Sequence, residues 1–192
     1  MQPAAVPVLN TERLILQPLS PEDAPVIQRV FPHWEIVQYL AAAVPWPFPD
    51  NGAHNYVNNV ALAAVAAGTG WFWTLRHKDS PSELLGVICL TDAEENNRGF
   101  WLRPEWQRQG IMAEASMAVT DFWFNTLNRE VLRAPKASLN RASKRISESS
   151  GMRLLRVEKK AYVGGEMDSE LWEITRDEWN ALHQKNNLKM SE

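Results

Sequence analysis

Apolar positions along this 192-residue chain follow two periods, and the periods alternate. Thr11 to Pro18, with Leu14, Ile15 and Leu16 at its centre, reads as a first strand. Ser20, Pro21, Glu22 and Asp23 follow. A serine cap, a proline at the first helical position and acids in the first turn open a helix running to about Val30. A second short helix is expected from Trp34 to Leu40. Pro45, Pro47 and Pro49 then exclude regular structure, because each lacks an N–H and restricts its neighbour. Asp50 is expected to cap a helix reaching Ala67, ended by Gly68 and Gly70.

The period then shortens. Trp71–His77, Leu84–Thr91 and Arg98–Leu102 are rich in aromatic and β-branched residues, and Asp79–Ser82 and Glu94–Asn97 supply turns between them. They read as three consecutive antiparallel strands. Gly110–Leu127 returns to helical spacing through Met112, Ala115, Val119, Phe122 and Trp123. A strand at Val131–Ser138 and a helix at Arg141–Ser149 follow. A hairpin of Leu154–Val163 and Ser169–Thr175 turns across Gly164 to Asp168. A last helix, Arg176–Gln184, is capped by Thr175. The order predicts an α+β fold: one mixed, mostly antiparallel sheet of about seven strands flanked by helices. It predicts a single domain over residues 10–184 with loose ends at 1–9 and 185–192.

Composition narrows the function. The formal net charge of −3 offers no basic field, so no nucleic acid is expected as partner. Cys89 is the only cysteine, which excludes an internal disulfide and a multi-cysteine zinc site. His33, His54, His77 and His183 have no metal-ligand spacing, so no metal is expected. The first ten residues lack a basic region followed by an apolar run, and Val60–Ala67 is too short to span a bilayer. A cytoplasmic protein with no membrane partner is expected, as a monomer or homodimer. Nine tryptophans point to a tryptophan-rich core and cleft lining.

The chemistry concentrates between the strand ending at Leu102 and the helix opening at Gly110. Free N–H groups at a helix start converge on one point, and the helix dipole favours an anion there. Gly110 permits close approach of backbone to phosphate, and Arg108 adds charge. A glycine turn alone is a weak pattern, shared by many strand-to-helix connections.

Gln107, Arg108, Gln109, Gly110, Ile111 and Met112, followed by Glu114 and Ala115, resemble the acetyl-CoA motif of the GCN5-related N-acetyltransferases (GNAT). Met112 stands where the family carries a small residue. On pattern alone, Met112→Ala is therefore expected to be tolerated. Leu9–Pro18 is similar to the opening strand of the RimJ/RimL-like branch, the ribosomal-protein N-terminal acetyltransferases. Asn140–Met152 is similar to that branch's Asn-x-x-Ser helix, and Val44–Pro49 to its proline-aromatic loop. The resemblance spans roughly residues 9–180 in consistent order.

It implies a sheet splayed around acetyl-CoA as co-substrate, and direct attack by a primary amine on a peptide or small molecule. It places pantetheine along Trp101, Leu102 and Arg103, and pyrophosphate at residues 107–113, including Ala113. Asn140 is then a cofactor contact or a helix cap. Ser143 is a proton donor to the departing thiolate or a first-turn serine. The tyrosine that many relatives use for that step is replaced by Ser147. Glu95 is the candidate base, acting through water, with a solvated turn as its alternative. Trp34, Trp46 and Phe48 are the candidate acceptor-binding residues. A noncatalytic acyl-CoA-binding or sensor domain is the alternative for the whole chain, and a nucleotide-binding α/β protein is a second rival. The absence of a Lys-Ser/Thr pair after the glycine counts against the latter.

Overall fold

A computed structural model describes residues 5–189, with side chains through Leu182. Its strands are β1 (Leu9–Asn10), β2 (Leu14–Pro18), β3 (Gly70–His77), β4 (Gly86–Thr91), β5 (Arg98–Leu102), β6 (Val131–Ala137), β7 (Arg153–Tyr162) and β8 (Gly165–Thr175). Its helices are α1 (Ala24–Val30), α2 (Trp34–Val37), α3 (Gly52–Asn55), α4 (Leu62–Ala67), α5 (Ile111–Asp121), α6 (Arg141–Ser149) and α7 (Arg176–Lys189). The strands form two antiparallel ladders rather than one: five strands in the order β1-β2-β3-β4-β5, and three in the order β6-β8-β7.

Alternation along the central strands builds two cores. Trp71, Trp73 and Leu75 of β3, Ile88 and Leu90 of β4, and Leu102 of β5 face one core with α5 and Trp179 of α7. Phe72, Val87 and Trp101 point the other way, toward α1–α4. Side chains two apart share a face in a strand, so β3 is buried on both sides.

Several boundaries differ from the sequence expectation for identifiable reasons. Asn51, not Asp50, precedes α3, and a π-helical segment, Tyr56–Ala61, joins α3 to α4. Gly68 ends α4 with φ 71°, as its lack of a Cβ allows. Phe122–Thr126 is also π-helical, and it buries three consecutive aromatics, Phe122, Trp123 and Phe124. A regular 3.6-residue period would spread three successive residues over more than half of the helix circumference. The last hairpin turns on Val163 and Gly164 alone, since Tyr162 pairs with Gly165. The last helix continues past Gln184 to Lys189, a stretch with no proline or glycine to stop it. Residues 1–4 and 190–192 of the expected loose ends lie outside the described residues.

Candidate active site

The two ladders meet at one knot. Asn97 N–H donates to the Arg133 carbonyl at 2.7 Å, and Arg133 N–H donates to Asn97 Oδ1 at 2.8 Å. The Asn97 amide nitrogen also donates to the carbonyls of Thr91 and Ala93. An asparagine suits this place, because one buried side chain can accept across the junction and donate to the preceding turn together. Beyond the knot, β5 and β6 run on with no ladder between them. Each ends its own sheet, leaving edge N–H and C=O groups available to an extended ligand.

At the far end of β5 the chain turns through a 3₁₀ segment, Pro104–Trp106, into the loop before α5. Arg108 and Gly110 both have positive φ, 61° and 76°. Left-handed residues of this kind re-aim successive N–H groups toward one side, the geometry of an anion nest. No side chain caps α5, so the N–H groups of Ile111, Met112 and Ala113 keep no intrahelical acceptor. Gln107 and Gln109 spend their side chains inside the turn, donating to the carbonyls of Leu102 at 3.0 Å and Glu105 at 2.9 Å.

Met112 is 6% exposed and its side chain packs in the core with β2–β5, so the methionine lies away from the loop that its backbone helps form. Met112→Ala, expected from the pattern to be tolerated, would therefore remove a buried core side chain rather than relieve the loop.

The loop is braced from an unexpected quarter. Arg13, just before β2, donates from Nη1 to the Gln109 carbonyl at 2.9 Å and from Nε to Glu114 Oε2 at 2.7 Å. Glu114 Oε1 accepts from Thr11 Oγ1 and from Arg13 N–H. Burial pushes the Glu114 carboxyl up, and the bonds from Thr11 and Arg13 more than cancel it, leaving it below the usual range. A Cβ on Gly110 would stand 3.3 Å from Arg13 Nη2, so the glycine also clears room for the brace. The opening strand motif and the glycine-loop motif are thus one physical unit. Their spacing in sequence gave no sign of this.

Trp101, Leu102 and Arg103 line the open edge. Trp101 turns into the α1–α4 core against Phe31, with ring centroids 5.2 Å apart. Leu102 is buried in the opposite core. Arg103 pairs with Glu83 at 2.9 Å and with Glu105, so its side chain holds the turn while its backbone continues β5. Across the gap, Asn140 Oδ1 accepts from Ser143 N–H at 3.1 Å and caps α6. Ser143 and Ser147, one helical turn apart, are both buried.

Glu95 sits near the knot and lines a cleft of about 250 Å³ with Asn96, Pro135, Lys160 and Tyr162 among its walls. Arg156 grips its carboxylate through both Nη atoms, and that hydrogen bonding holds the Glu95 carboxyl below the usual range. Ala41 also lines this cleft, and the chain from Gln38 to Ala42 is pinned to the end of β7 by backbone bonds. Trp34 and Trp46 form an exposed pair with centroids 5.9 Å apart. Phe48 is half-buried instead, packed edge-on to Phe31 at 5.0 Å. It therefore links the proline-rich loop through Phe31 to Trp101. Gly52 makes room for that ring, since a Cβ there would meet Phe48 at 2.6 Å.

Two buried cations were given no role by the sequence reading. Arg98 of β5 is 3% exposed and Lys136 of β6 is 6% exposed. The alternation Leu132, Ala134, Lys136 was the available signal, because it carries a lysine on an apolar face. Cys89 is inert by comparison. Burial pushes its thiol up to about 11.

Comparison with known proteins places this geometry. The family pattern described as "Acetyltransferase (GNAT) domain" matches residues 13–153, and the chain belongs to that family. An uncharacterized N-acetyltransferase of Bacillus subtilis (strain 168), YoaA, is 26% identical over 144 residues, covering 73% of this chain and 79% of the relative. Among solved structures, RimL, a ribosomal L7/L12 alpha-N-protein acetyltransferase in complex with coenzyme A, superposes with a TM-score of 0.74. It is 18% identical and covers 90% of this chain and 98% of its own. A GNAT-family acetyltransferase from Bacillus anthracis gives 0.72 at 18% identity, covering 89% and 99%. The ribosomal-protein-S5-alanine acetyltransferase from Vibrio fischeri gives 0.72 at 18%, covering 90% and 98%. The chain thus has the GNAT fold, with RimL-type proteins among its structural neighbours.

Among the described residues no helix is long and apolar enough to cross a membrane, and no cluster of metal-ligating side chains occurs.

Proposed function

We propose that this chain transfers the acetyl group of acetyl-CoA to a primary amine by direct attack, as a cytoplasmic N-acetyltransferase. The observation that carries the reading is the knot at Asn97 and Arg133, from which two unpaired strand edges run toward a braced, left-handed glycine loop. Pyrophosphate suits the N–H groups of Gly110 to Ala113, with the Arg108 guanidinium beside them. Pantetheine suits the backbone of Trp101 to Arg103 as a surrogate strand. Asn140 and Ser143 then border the thioester across the gap. A backbone N–H of β5 stabilises the developing oxyanion, and no enzyme nucleophile is required.

On this reading the acceptor enters by the Glu95 cleft. The amine must reach the thioester as a neutral nucleophile, so its ammonium gives up a proton first. A carboxylate held below its usual range is a weak base, so the role proposed for Glu95 is to orient a water that takes the proton. Trp34 and Trp46 offer the acceptor an exposed apolar ledge, and Phe48 sets its position from behind. A peptide N-terminus or a small-molecule amine fits such a cleft, and RimL is an acetyltransferase of the ribosomal protein L7/L12.

The test is an acceptor screen with acetyl-CoA, following free thiol and the acetylated product by mass spectrometry. Gly110→Asp serves as control, since its carboxylate would oppose the phosphates. Transfer by the wild type and its loss in that variant is expected. CoA binding with no transfer to any amine would instead support an acyl-CoA-sensing domain.

A further inference from the structure

β6 forms the far wall of the gap, and its hydrogen-bonding sides can be assigned residue by residue. At one end Ser138 N–H donates to the Asp168 carbonyl of β8 at 2.8 Å. At the other, Arg176 N–H donates to the Glu130 carbonyl at 2.9 Å. The register between them is unbroken, from Val131 opposite Thr175 to Ala137 opposite Ser169. Bonded residues alternate in an antiparallel pair, so the even-numbered residues of β6 turn their backbone groups to β8. The odd-numbered ones turn theirs to the gap, as Arg133 does at the knot. The next residue on that side is Pro135, which has no N–H.

The side chains of β6 part likewise. Lys136 is buried and donates to Ser147 of α6, whereas Pro135 lines the cleft beside Glu95, Asn96 and Tyr162. Between Arg133 and Ala137 the inner edge of β6 offers carbonyls and no donor, over about 13 Å of strand. β5 shows the opposite need. Thr91 N–H donates to the Asn97 carbonyl and Arg103 N–H to the Leu85 carbonyl, both at 2.9 Å. The same alternation then turns the backbone of Arg98, Phe100 and Leu102 to the gap. Gln107 already occupies the Leu102 carbonyl. The carbonyls of Arg98 and Phe100 lie in no ladder, and a donor from β6 is what a ladder would need to advance past the knot.

We propose that Pro135 is the residue that keeps the cofactor gap open. By withholding the first donor beyond the knot, it stops β6 from zipping onto β5 in the free protein. The proposal rests on the acetyl-CoA reading above for what the gap admits, and adds how the gap is kept. A proline is tolerated in a sheet where no ladder bond is asked of its nitrogen, which is ordinarily a side open to solvent. Here that side faces a second strand of the same molecule, so the missing donor governs an internal contact. Pro135 is a positioning residue: it need touch no reacting atom, and it preserves the strand edge along which pantetheine lies.

The experiment compares wild type with Pro135→Ala and Pro135→Val. Both variants restore the N–H, but only valine keeps most of the apolar bulk toward the cleft. An effect of the amide is therefore shared by the two, and an effect of cleft shape is confined to alanine. Freeing φ at this position favours the unfolded chain and lowers the melting temperature, but that contribution cancels from ligand affinity. Amide hydrogen exchange by NMR and calorimetric CoA titration are thus the readouts. The new amide of residue 135 is expected to be protected in the free variants and to exchange faster once CoA displaces its bond. CoA is expected to bind about 5–10-fold more weakly to both, the worth of one net hydrogen bond. The acetyl-CoA KM should rise with it, and kcat at saturating cofactor should hardly move.

A freely exchanging amide at residue 135 with unchanged CoA affinity in both variants would overturn the proposal. Tighter CoA binding would overturn it as well, because the restored N–H would then be pairing with the cofactor and not with β5. Weakening confined to Pro135→Ala would assign the residue to cleft shape instead. If the wild type binds no CoA, the acetyl-CoA reading fails on that result alone. Protection of the new amide in the free variants then still decides whether Pro135 holds the strands apart.

Discussion

Met112 contributes its backbone to the glycine loop and its side chain to the core. The two roles predict separate effects. Met112→Ala removes a side chain that is 6% exposed, and should cost about 2–5 kcal/mol in denaturant unfolding. CoA affinity in the surviving folded fraction should be unchanged, because the N–H stays in place. Tighter CoA binding with unaltered stability would mean that the side chain faces the loop after all. Ser143 invites the complementary test. Asn140 caps α6 through the Ser143 backbone N–H, so Ser143→Ala leaves the cap intact. Its melting temperature should hold while kcat falls by about 10-fold, the size of a lost hydrogen bond to a developing thiolate. A lower melting temperature with normal turnover would return Ser143 to a structural role.

The brace between the β1–β2 turn and α5 is the decisive contact between elements. Thr11, Arg13 and Glu114 hold the loop's far side, about a hundred residues apart in sequence. A double-mutant cycle of Arg13→Ala with Glu114→Ala should show coupling on the order of 1 kcal/mol, limited because Arg13 is partly exposed. Both single variants should also weaken CoA binding, since Arg13 reaches the Gln109 carbonyl. Additive effects would detach the brace from the loop.

The legibility of these elements in sequence follows a physical line. Runs of aromatic and β-branched residues exposed β3 and β4, which are buried on both faces, and helical spacing exposed α5, which buries one. Thr175 caps α7 as expected, a purely local pattern, and the structure adds the return bond from Thr175 N–H to Glu178. The π-helical segments were invisible, because widening a turn by one residue leaves composition unchanged. So was the division into two ladders, which depends on β5 and β6 parting beyond the Asn97–Arg133 contact. The site divides the same way. The glycine loop could be read from residues 107–113, whereas the Arg13 brace and the Lys136–Ser147 contact needed three dimensions.

At the scale of the whole molecule, the buried Lys136 ties stability to pH. Its pKa is about 7 folded against a reference of 10.5, so between these values the unfolded chain binds more protons. Stability therefore rises with pH across that window, and the full cost of the buried charge is present below about pH 7. Lys136→Met should accordingly melt higher than wild type near pH 6, with the advantage shrinking by about pH 9–10. A difference independent of pH would mean that Lys136 keeps its ordinary pKa in the fold.

The parting of β5 from β6 has a consequence for the protein's life outside catalysis. Two strand edges held open inside one molecule are also templates on which a stray strand can zip. On the proposed reading, acetyl-CoA laid along β5 would close one of them as a bound chaperone does. A cell depleted of the cofactor would then lose this protein to self-association as well as to idleness, and its solubility would track the acetyl-CoA pool.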